Sequence, residues 1–380
     1  MRILIAAGGT GGHIYPALAV LRSLAAAQPD LSVRWLGGRR GLEARIVPDA
    51  GVPLTRLMLR TLRTVDLSVA TVLDPLRLAG SIPEAWLRLG AWRPDVVYTT
   101  GGYVAIPALA AAAAWRVPSL LWEGNRRAGR SVRATARLAT LRATAFPGTC
   151  SDLPGPCVTT GTPIRSLAGR DRAAARAALG IPPGPPVLLV FGGSQAVRRL
   201  NDAVAGALPR LLARCAVLHL AGDAGIGAAE AAAAALPVEL RPRYRPFAFL
   251  GAEMTDALVA ADLVVGRAGS STLAEAAAAG VPLVVVPYPH AAAHQEANAR
   301  ELAEAGAARI VADAAFDADA LLAAAAILDD GALHARMSAA ARAIGRPGAA
   351  DATALLLTRL AARAPLPPAA ELDACVRGQA

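Results

Sequence analysis

The sequence contains no lysine, few aromatic residues and no long apolar run. Aromatic residues make up 4% of the 380 residues, and long alanine runs dominate the apolar 54%. This composition favours helices with small-side-chain packing over a β-sandwich. Apolar runs such as residues 108–115 and 281–288 fall short of the roughly 18 residues that a membrane-spanning helix needs. The lack of a long apolar run predicts a soluble protein that could still touch a membrane, and the length of 380 residues predicts two or three globular domains.

Cysteine is also scarce. The four cysteines, Cys150, Cys157, Cys215 and Cys375, form no C-x-x-C pair and have no histidine at the spacing of a zinc ligand. The sequence therefore predicts neither a zinc site nor a disulfide framework, and a reducing compartment fits this cysteine usage.

Positive charge is unevenly distributed along the chain. Residues 1–165 contain 20 arginines against 9 acidic residues, whereas residues 166–380 contain 19 against 20. The first half therefore offers a basic surface to an anion, whether a phosphate, an acidic lipid surface or a nucleic acid.

Short apolar segments alternate with helical patterns along the whole chain, which is typical of parallel sheets covered on both faces. Residues 3–10 and 187–194 repeat one pattern, an apolar strand followed by Gly-Gly and a hydroxyl residue. The sequence thus predicts an α/β fold of two doubly wound domains, with a break near residues 161–170 and a frayed tail from Pro365. The predicted strands are residues 3–7, 32–36, 95–99, 119–122, 187–191, 216–221, 263–265 and 283–287.

The first glycine loop, residues 8–13, lies between a strand and a helix expected to start near Pro16. Its glycines let the backbone approach an anion, which the N–H groups of the helix start favour. It is not a dinucleotide fingerprint, because Ile14 stands at the place of the last glycine. The second strand also ends without the carboxylate that would hold a ribose. Both features argue against a nicotinamide dehydrogenase.

Two further loops carry polar groups after predicted strands. Ser194, in the second glycine loop, either donates to a phosphate or caps the following helix. Glu275 either accepts hydrogen bonds from a ribose diol or completes a capping box with Thr272. Both alternatives stay open on local spacing alone. His290, His294, Gln295 and Asn298 could grip sugar hydroxyls, and the two histidines four residues apart are a weak indication of a metal.

Seven motifs occur in order along the chain. They are residues 8–16, Gly101-Gly102-Tyr103 before Pro107, Glu123-x-Asn125, residues 161–165, residues 192–195, Arg267-x-Gly-Ser and His294-Gln295-x-x-Asn298. Taken together, they resemble the MurG family, the bacterial transferases of glycosyltransferase family 28 that add N-acetylglucosamine to undecaprenyl-pyrophosphoryl-N-acetylmuramoyl-pentapeptide. The resemblance covers roughly residues 1–360.

The resemblance implies a GT-B fold, in which two Rossmann-like domains face a cleft. The acceptor would lie mainly on the first domain, residues 1–165, and UDP-N-acetylglucosamine (UDP-GlcNAc) mainly on the second, residues 166–345. A helix within residues 346–363 would cross back to the first domain, and residues 364–380 would form a flexible tail. The implied reaction inverts the anomeric carbon and makes lipid II from lipid I in peptidoglycan synthesis. No cofactor and no divalent metal are expected.

The resemblance also assigns site residues by position. His13 would be the catalytic base, with Glu123 as runner-up, although a histidine beside a glycine turn can also be structural or a phosphate ligand. Thr10, His13, Gly101, Gly102 and Tyr103 would surround the acceptor's pyrophosphate. The donor would be bound by Thr10, Gly11, Gly12, Asn125, Arg165, Ser194, Leu250, Gly251, Ser270, Ser271, Thr272, Leu273, Ala274, Glu275, His294, Gln295 and Asn298.

The chain departs from the family at two places, and both bear on donor affinity. Where the family commonly has His-Glu-Gln-Asn, this chain has Trp122-Glu123-Gly124-Asn125, so that Trp122 replaces His and Gly124 replaces Gln. Ala196-Val197 stands where the family has Gly-Ala after Ser-Gln.

An apolar stripe with arginines beside it predicts an interfacial surface on one helix, although the stripe could also be core. Pro83 is expected to interrupt that helix. An anionic membrane surface is thus an expected partner at the cytoplasmic face of the plasma membrane, as are other proteins of cell-wall synthesis, whereas nucleic acid is not. The stripe comprises Leu76, Ala79, Ile82, Trp86, Leu89 and Trp92, with Arg77, Arg88 and Arg93 alongside.

Three rival hypotheses remain from the sequence. The same fold could glycosylate another lipid, such as diacylglycerol, or it could serve a UDP-sugar epimerase that needs no lipid. A binding module with a decayed site is the hypothesis without enzymatic activity, and Gly124 and Val197 are its only support.

Overall fold

The computed structural model describes residues 1–39, 41–59, 69–192, 198–289 and 294–379, with the side chains of 69–74 left aside. The chain divides into two compact units. The first consists of Met1–Ile164 and Gly348–Ala380, and the second consists of Arg165–Pro347. The division falls one residue before the predicted end of the first domain.

The first unit is built on a seven-stranded parallel sheet of order β3-β2-β1-β4-β5-β6-β7. Strands β4 and β5 are buried along their whole length because helices cover both sheet faces. The strands are β1 (Arg2–Ala6), β2 (Ser32–Gly37), β3 (Leu54–Arg56), β4 (Val96–Thr99), β5 (Ser119–Glu123), β6 (Leu141–Thr144) and β7 (Cys157–Thr159). The helices between them are α1 (Gly11–Ala27), α2 (Glu43–Asp49), α3 (Val69–Trp92), α4 (Ala105–Ala114) and α5 (Arg130–Thr135), with 3₁₀ turns at Ala136–Leu138 and Pro147–Asp152.

The second unit is built on a six-stranded parallel sheet of order β10-β9-β8-β11-β12-β13. Two parallel-sheet domains were predicted, and this fold class is confirmed. The strands are β8 (Val187–Phe191), β9 (Ala216–Leu220), β10 (Tyr244–Phe247), β11 (Leu263–Gly266), β12 (Leu283–Val285) and β13 (Ala308–Ile310). The helices are α6 (Arg172–Ala178), α7 (Arg198–Leu212), α8 (Ile226–Ala235), α9 (Met254–Ala260), α10 (Ser270–Ala278), α11 (His294–Glu304), α12 (Ala318–Ala325) and α13 (Gly331–Ile344). Short 3₁₀ turns lie at Arg241–Arg243, Asp313–Ala315 and Ala326–Leu328.

The C-terminal segment adds two helices to the first unit, α14 (Ala349–Ala361) and α15 (Ala369–Val376). Helix α14 packs against α1, where Gln28 donates a hydrogen bond to Thr358 at 3.0 Å. Helix α15 packs on α14 and buries Leu372 and Val376. The prediction of a frayed tail is therefore wrong for α15, because its apolar side chains find a surface that the local Pro/Ala composition does not reveal.

The prediction that the cysteines form no disulfide is also wrong. Cys150 and Cys157 form a disulfide, with their Cα atoms 5.6 Å apart. Cys150 lies in the 3₁₀ turn Pro147–Asp152, which connects the parallel neighbours β6 and β7, and Cys157 is the first residue of β7. The pairing of β7 with β6 thus brings together two cysteines that no short motif links. Cys215 and Cys375 are buried free thiols.

Candidate functional site

The glycine loop of the first unit leads directly into a helix. Helix α1 begins at Gly11, five residues before the predicted start near Pro16, so that His13 lies in its first turn. Thr10 is the N-cap residue, its side chain makes no capping hydrogen bond, and both Thr10 and Gly12 are exposed. The exposed first turn of a 17-residue helix has backbone N–H groups of the kind that bind anions, and binding of an anion there stays a prediction.

The imidazole of His13 is held in one tautomer. Its Nδ1 lies 2.7 Å from the carbonyl oxygen of Thr100, which can only accept, so Nδ1 must carry the proton. In return, the Thr100 hydroxyl donates to the His13 carbonyl at 3.0 Å. The lone pair of the neutral ring therefore lies on Nε2, which is the atom able to take a proton from a substrate.

The turn Gly101-Gly102 lies against the His13 ring. Both glycines have positive φ angles, 84° and 72°, which L side chains rarely adopt. A Cβ on Gly102 would lie 3.6 Å from Nε2 of His13 and 3.6 Å from the carbonyl oxygen of Gly8. The structure thus brings together His13 and the two glycine turns that the sequence assigned to the acceptor.

Glu123, the runner-up base, is fully engaged with its own loop. Its Oε1 accepts from the backbone and side-chain nitrogens of Asn125 at 2.8 and 3.0 Å, and its Oε2 accepts from the Gly129 N–H at 2.8 Å. The carboxylate is also buried. Its geometry therefore suits holding Asn125 rather than accepting a substrate proton, which contradicts the assignment of Glu123 as a base.

Tyr103 is placed differently from the prediction. Its ring is buried, and its hydroxyl donates to Oε1 of Glu43 at 2.7 Å instead of facing an acceptor. Glu43 is completely buried and also accepts from the backbone N–H groups of Gly9 and Gly38, at 2.8 and 2.9 Å. Sequence reasoning missed Glu43, because its position after a loop glycine looks like an ordinary acidic residue in a first helical turn.

In the second unit, the loop after β11 leads into α10, whose N-cap is Gly269. Thr272 lies inside the helix, so it cannot form the capping box with Glu275 that the sequence left open. Burial raises the pKa of Glu275 from 4.5 to about 7, and the charge of Arg165 acts in the opposite direction. Such a perturbed carboxyl group is typical of a functional site.

The predicted donor residues of the second unit cluster around this helix. The guanidinium of Arg165 donates to the carbonyl of Gly251 and influences Glu275, so three predicted residues are brought together. Leu250 is buried, and Ser270 and Ala274 are half-buried beside them. The side chain of Leu273 is buried, so a contact of this residue with the donor would have to come from its backbone, and that contact stays a prediction.

Gln295 and Asn298 hold the backbone of the same loop. Oε1 of Gln295 accepts from the N–H groups of Ala268 and Tyr288 at 3.2 and 2.9 Å. Because these bonds fix the orientation of the amide, its NH₂ group is the part that can donate to a sugar hydroxyl. Asn298 is fully buried and donates to the Ala268 carbonyl at 3.3 Å, which contradicts a direct role in reading the sugar. His294 is half-buried at the first position of α11.

Some predictions fall on residues that the structure does not describe. Ser194, Ala196, Val197 and His290 lie outside the described residues. Within the described parts of the chain, no group of three His, Cys, Asp or Glu side chains could hold a metal ion.

The predicted interfacial stripe on α3 is divided between solvent and core. The helix continues through Pro75 and Pro83, so the predicted interruption is wrong. Leu89 is buried and Trp92 is half-buried, because they continue the core-facing row that includes Ala85. Leu89 is therefore excluded from an exposed surface.

The other face of α3 exposes large apolar side chains, and α4 is followed by one more. The ring of Trp115 stacks on that of Trp86 with centroids 4.9 Å apart, and its indole nitrogen donates to the Trp86 carbonyl at 2.9 Å. Arg88 is exposed on the same helix, and Arg77 is half-buried. We call the set Leu76, Ile82, Trp86, Leu87 and Trp115 the α3 surface. No helix in the described part of the chain is long and apolar enough to cross a bilayer.

Comparison with known proteins identifies the family. The profile of the glycosyltransferase family 28 N-terminal domain matches residues 3–144, and that of the C-terminal domain matches residues 187–352. The chain belongs to glycosyltransferase family 28. The resemblance inferred from the ordered motifs is therefore confirmed.

Relatives of similar length agree with this assignment. The UDP-N-acetylglucosamine–N-acetylmuramyl-(pentapeptide) pyrophosphoryl-undecaprenol N-acetylglucosamine transferase of Moorella thermoacetica is 40% identical, covering 93% of this chain and 97% of its own. The transferase of the same name from Salinibacter ruber is 39% identical over 95% of this chain and 97% of its own. The crystal structure of Acinetobacter baumannii MurG superposes with a TM-score of 0.74 at 30% identity, covering 94% and 99% of the two chains. The GT-B fold class is confirmed by this match.

Proposed function

We propose that this family 28 enzyme transfers N-acetylglucosamine from UDP-GlcNAc to the C4 hydroxyl of N-acetylmuramoyl-pentapeptide carried on undecaprenyl pyrophosphate. The observation that carries the proposal is the near-complete match to transferases named for that reaction, at 39–40% identity. Because the proposed product is β-linked and the donor is α-linked, one in-line attack inverts the anomeric carbon. No covalent intermediate is needed.

The first unit supplies the groups for the acceptor. Nε2 of His13 carries the lone pair and is the base that takes the proton of the attacking hydroxyl. The exposed N–H groups of the first turn of α1 bind pyrophosphate, aided by the positive end of the helix dipole. Glu123 holds Asn125 in place by accepting two hydrogen bonds from it, and a third hydrogen bond, from the Gly129 N–H, fixes the carboxylate itself.

The second unit supplies the groups for the donor. Ionised Glu275 accepts hydrogen bonds from the vicinal hydroxyls of the ribose, and Arg165 lies close enough to stabilise its charge. The first turn of α10 and the guanidinium of Arg165 stabilise the negative charge that develops on the departing UDP. A preorganised donor of this kind contributes about 3 kcal/mol, by analogy with an oxyanion hole.

The decisive experiment incubates the protein with UDP-GlcNAc with and without the pyrophosphoryl lipid acceptor, and measures UDP release. Release that depends on the lipid supports the transferase. Release with diacylglycerol instead would identify another acceptor. Conversion of the UDP-sugar without lipid would identify an epimerase, and no reaction with either lipid would favour a binding module.

We also propose that the α3 surface docks on an anionic membrane that carries the lipid acceptor, at its cytoplasmic face. Large apolar side chains beside exposed Arg88 suit a membrane interface. The test is co-sedimentation with vesicles containing anionic lipid, comparing wild type with Leu76→Ser plus Leu87→Ser. The matched control, Val238→Ser plus Ile310→Ser, changes exposed apolar residues of the second unit. Equal loss of binding in both double variants would contradict a specific surface.

A further inference from the structure

We propose that Glu43 is a positioning residue that fixes the two glycine turns beside His13. The proposal rests on the role proposed above for His13 as the base. Glu43 is the first residue of α2 and is completely buried. No motif of the sequence marks it.

The carboxylate of Glu43 joins three separate segments of the first unit. Oε2 accepts from the Gly9 N–H at 2.8 Å, in the turn after β1. Oε1 accepts from the Gly38 N–H at 2.9 Å, after β2, and from the Tyr103 hydroxyl at 2.7 Å, after β4. One side chain therefore ties together the ends of three neighbouring strands.

The surrounding glycines leave room for this carboxylate and for little else. A Cβ on Gly8 would lie 2.6 Å from Oε1, and a Cβ on Gly41 would lie 2.1 Å from Oε2. Burying a carboxylate is costly unless hydrogen bonds compensate it, and an apolar side chain of similar volume often stabilises a core as well. Stability alone therefore does not explain a glutamate at this position. Holding the backbone N–H groups of the turns does explain it, because they need a hydrogen-bond acceptor.

Both turns that Glu43 holds lie next to His13. Gly9 lies two residues before the start of α1, in whose first turn His13 lies. Tyr103 follows Gly102, whose Cβ position is 3.6 Å from Nε2 of His13. A shift of either turn would displace the proposed base from the acceptor hydroxyl, and misplacement by about 1 Å can cost about a hundredfold in rate.

The main test is Glu43→Gln, which keeps the shape but replaces one accepting oxygen with a donating NH₂ group. This group would face a backbone N–H or the Tyr103 hydroxyl, so the turns should loosen. We expect kcat for lipid-dependent UDP release to fall about ten- to hundredfold. The KM for UDP-GlcNAc should stay within about twofold, since the proposed ribose contact lies in the second unit. Amide hydrogen exchange of residues 2–12 should become faster.

Two further variants separate positioning from stability. Leu356→Val removes a methylene from the buried face of α14, in the same unit but outside the turns, and serves as a control for lowered melting temperature. Tyr103→Phe removes one of the three hydrogen bonds, and kcat should fall about threefold. If Glu43→Gln does not fold, Tyr103→Phe decides alone, and an unchanged kcat in it would overturn the proposal.

The outcomes distinguish this proposal from the proposed function. Unchanged kcat in Glu43→Gln, or a loss no larger than that of Leu356→Val at a matched melting temperature, would overturn the positioning role. Absence of lipid-dependent UDP release in the wild type would instead refute the transferase. Even then, unchanged exchange of residues 2–12 in Glu43→Gln would show that Glu43 does not hold the turns.

Discussion

Each unit contains a glutamate close to a glycine turn. The two carboxyl groups differ in how far the protein itself supplies them with hydrogen-bond donors. Glu43 in the first unit accepts hydrogen bonds from Gly9, Gly38 and Tyr103. Glu275 in the second unit is placed where burial raises its pKa to about 7 against the charge of Arg165. The oxygens of Glu43 thus already accept hydrogen bonds from the protein itself. Ionisation of Glu275 is unfavourable until a ligand supplies donors that compensate it.

Two similar glycine turns can thus serve different tasks. A carboxylate satisfied by the protein fixes a turn before substrate arrives, which suits a base that must be correctly placed. A half-buried carboxyl group with a raised pKa gains most from hydrogen-bond donors that a ligand brings, which suits recognition of a diol.

The largest effect should come from the base of the first unit. We expect His13→Ala to lower kcat by about 10²- to 10⁴-fold, because no group replaces Nε2 as proton acceptor. The dissociation constant for UDP measured by calorimetry should change by less than about twofold, since the base is not the ribose ligand. His334→Ala, which removes a histidine bound to the Asp262 carbonyl in the second unit, is the control and should keep kcat. A His13 variant with wild-type kcat would remove His13 from the mechanism.

The second prediction concerns stability against pH. Because folding raises the pKa of Glu275 from 4.5 to about 7, its contribution to stability is fully present below pH 4.5 and is lost as pH rises through 7. Glu275→Gln has no such loss. Relative to wild type, its unfolding free energy should therefore increase by about 2 to 3 kcal/mol between pH 5 and pH 8. Urea denaturation at both pH values checks this, with exposed Glu230→Gln as control; a difference independent of pH would contradict the raised pKa.

Donor recognition should show the third effect. Glu275→Gln should weaken UDP-GlcNAc binding about tenfold at pH 8, because a neutral amide replaces a charged acceptor of two hydroxyl groups. A 2′-deoxyribose donor should bind the wild type more weakly, and the variant should discriminate against it less. If the losses of binding free energy from Glu275→Gln and from the 2′-deoxyribose donor simply add in the double change, Glu275 does not contact the ribose.

We expect the smallest effects from removing two buried hydroxyl groups, one in each unit. Among the described residues, the hydroxyl oxygens of Tyr98 in the first unit and Ser271 in the second are buried without a hydrogen-bond partner. Ser271 lies in the first turn of α10, so Ser271→Ala should weaken UDP binding about fivefold, the cost of one lost hydrogen bond. Tyr98→Phe should leave UDP binding unchanged and raise the unfolding free energy by about 1 kcal/mol. Equal UDP affinity in both variants would show that Ser271 does not serve the donor.

Much of the fold was predictable because its central strands are short, apolar and bounded by turns. All eight predicted strands are present, with ends shifted by a residue or two. The missed strands β3, β6, β7, β10 and β13 include both edges of each sheet, where a continuous apolar run is not required. Charged or proline residues obscured some of them, such as Arg142 in β6 and Arg245-Pro246 in β10.

The candidate site was predictable where function depends on local backbone. Glycine turns at the start of α1 and after β4 are visible in sequence because close approach and positive φ need glycine. The roles of Tyr103, Asn298 and Leu89 were not predictable in this way. A phenol, an amide or a leucine can face either ligand or core, and only packing decides which.

Local periodicity, the order of the motifs and the need for glycine at tight turns were enough to predict the two doubly wound domains, the family and the positions of the glycine turns. Which polar groups find a hydrogen-bond partner within the protein depends on the packing of distant segments. This packing gives Glu43 three hydrogen-bond donors from distant segments and joins Cys150 to Cys157. It also desolvates Glu275 enough to raise its pKa. Burial and hydrogen-bond partnership depend on residues far apart in the chain, so no local pattern encodes them.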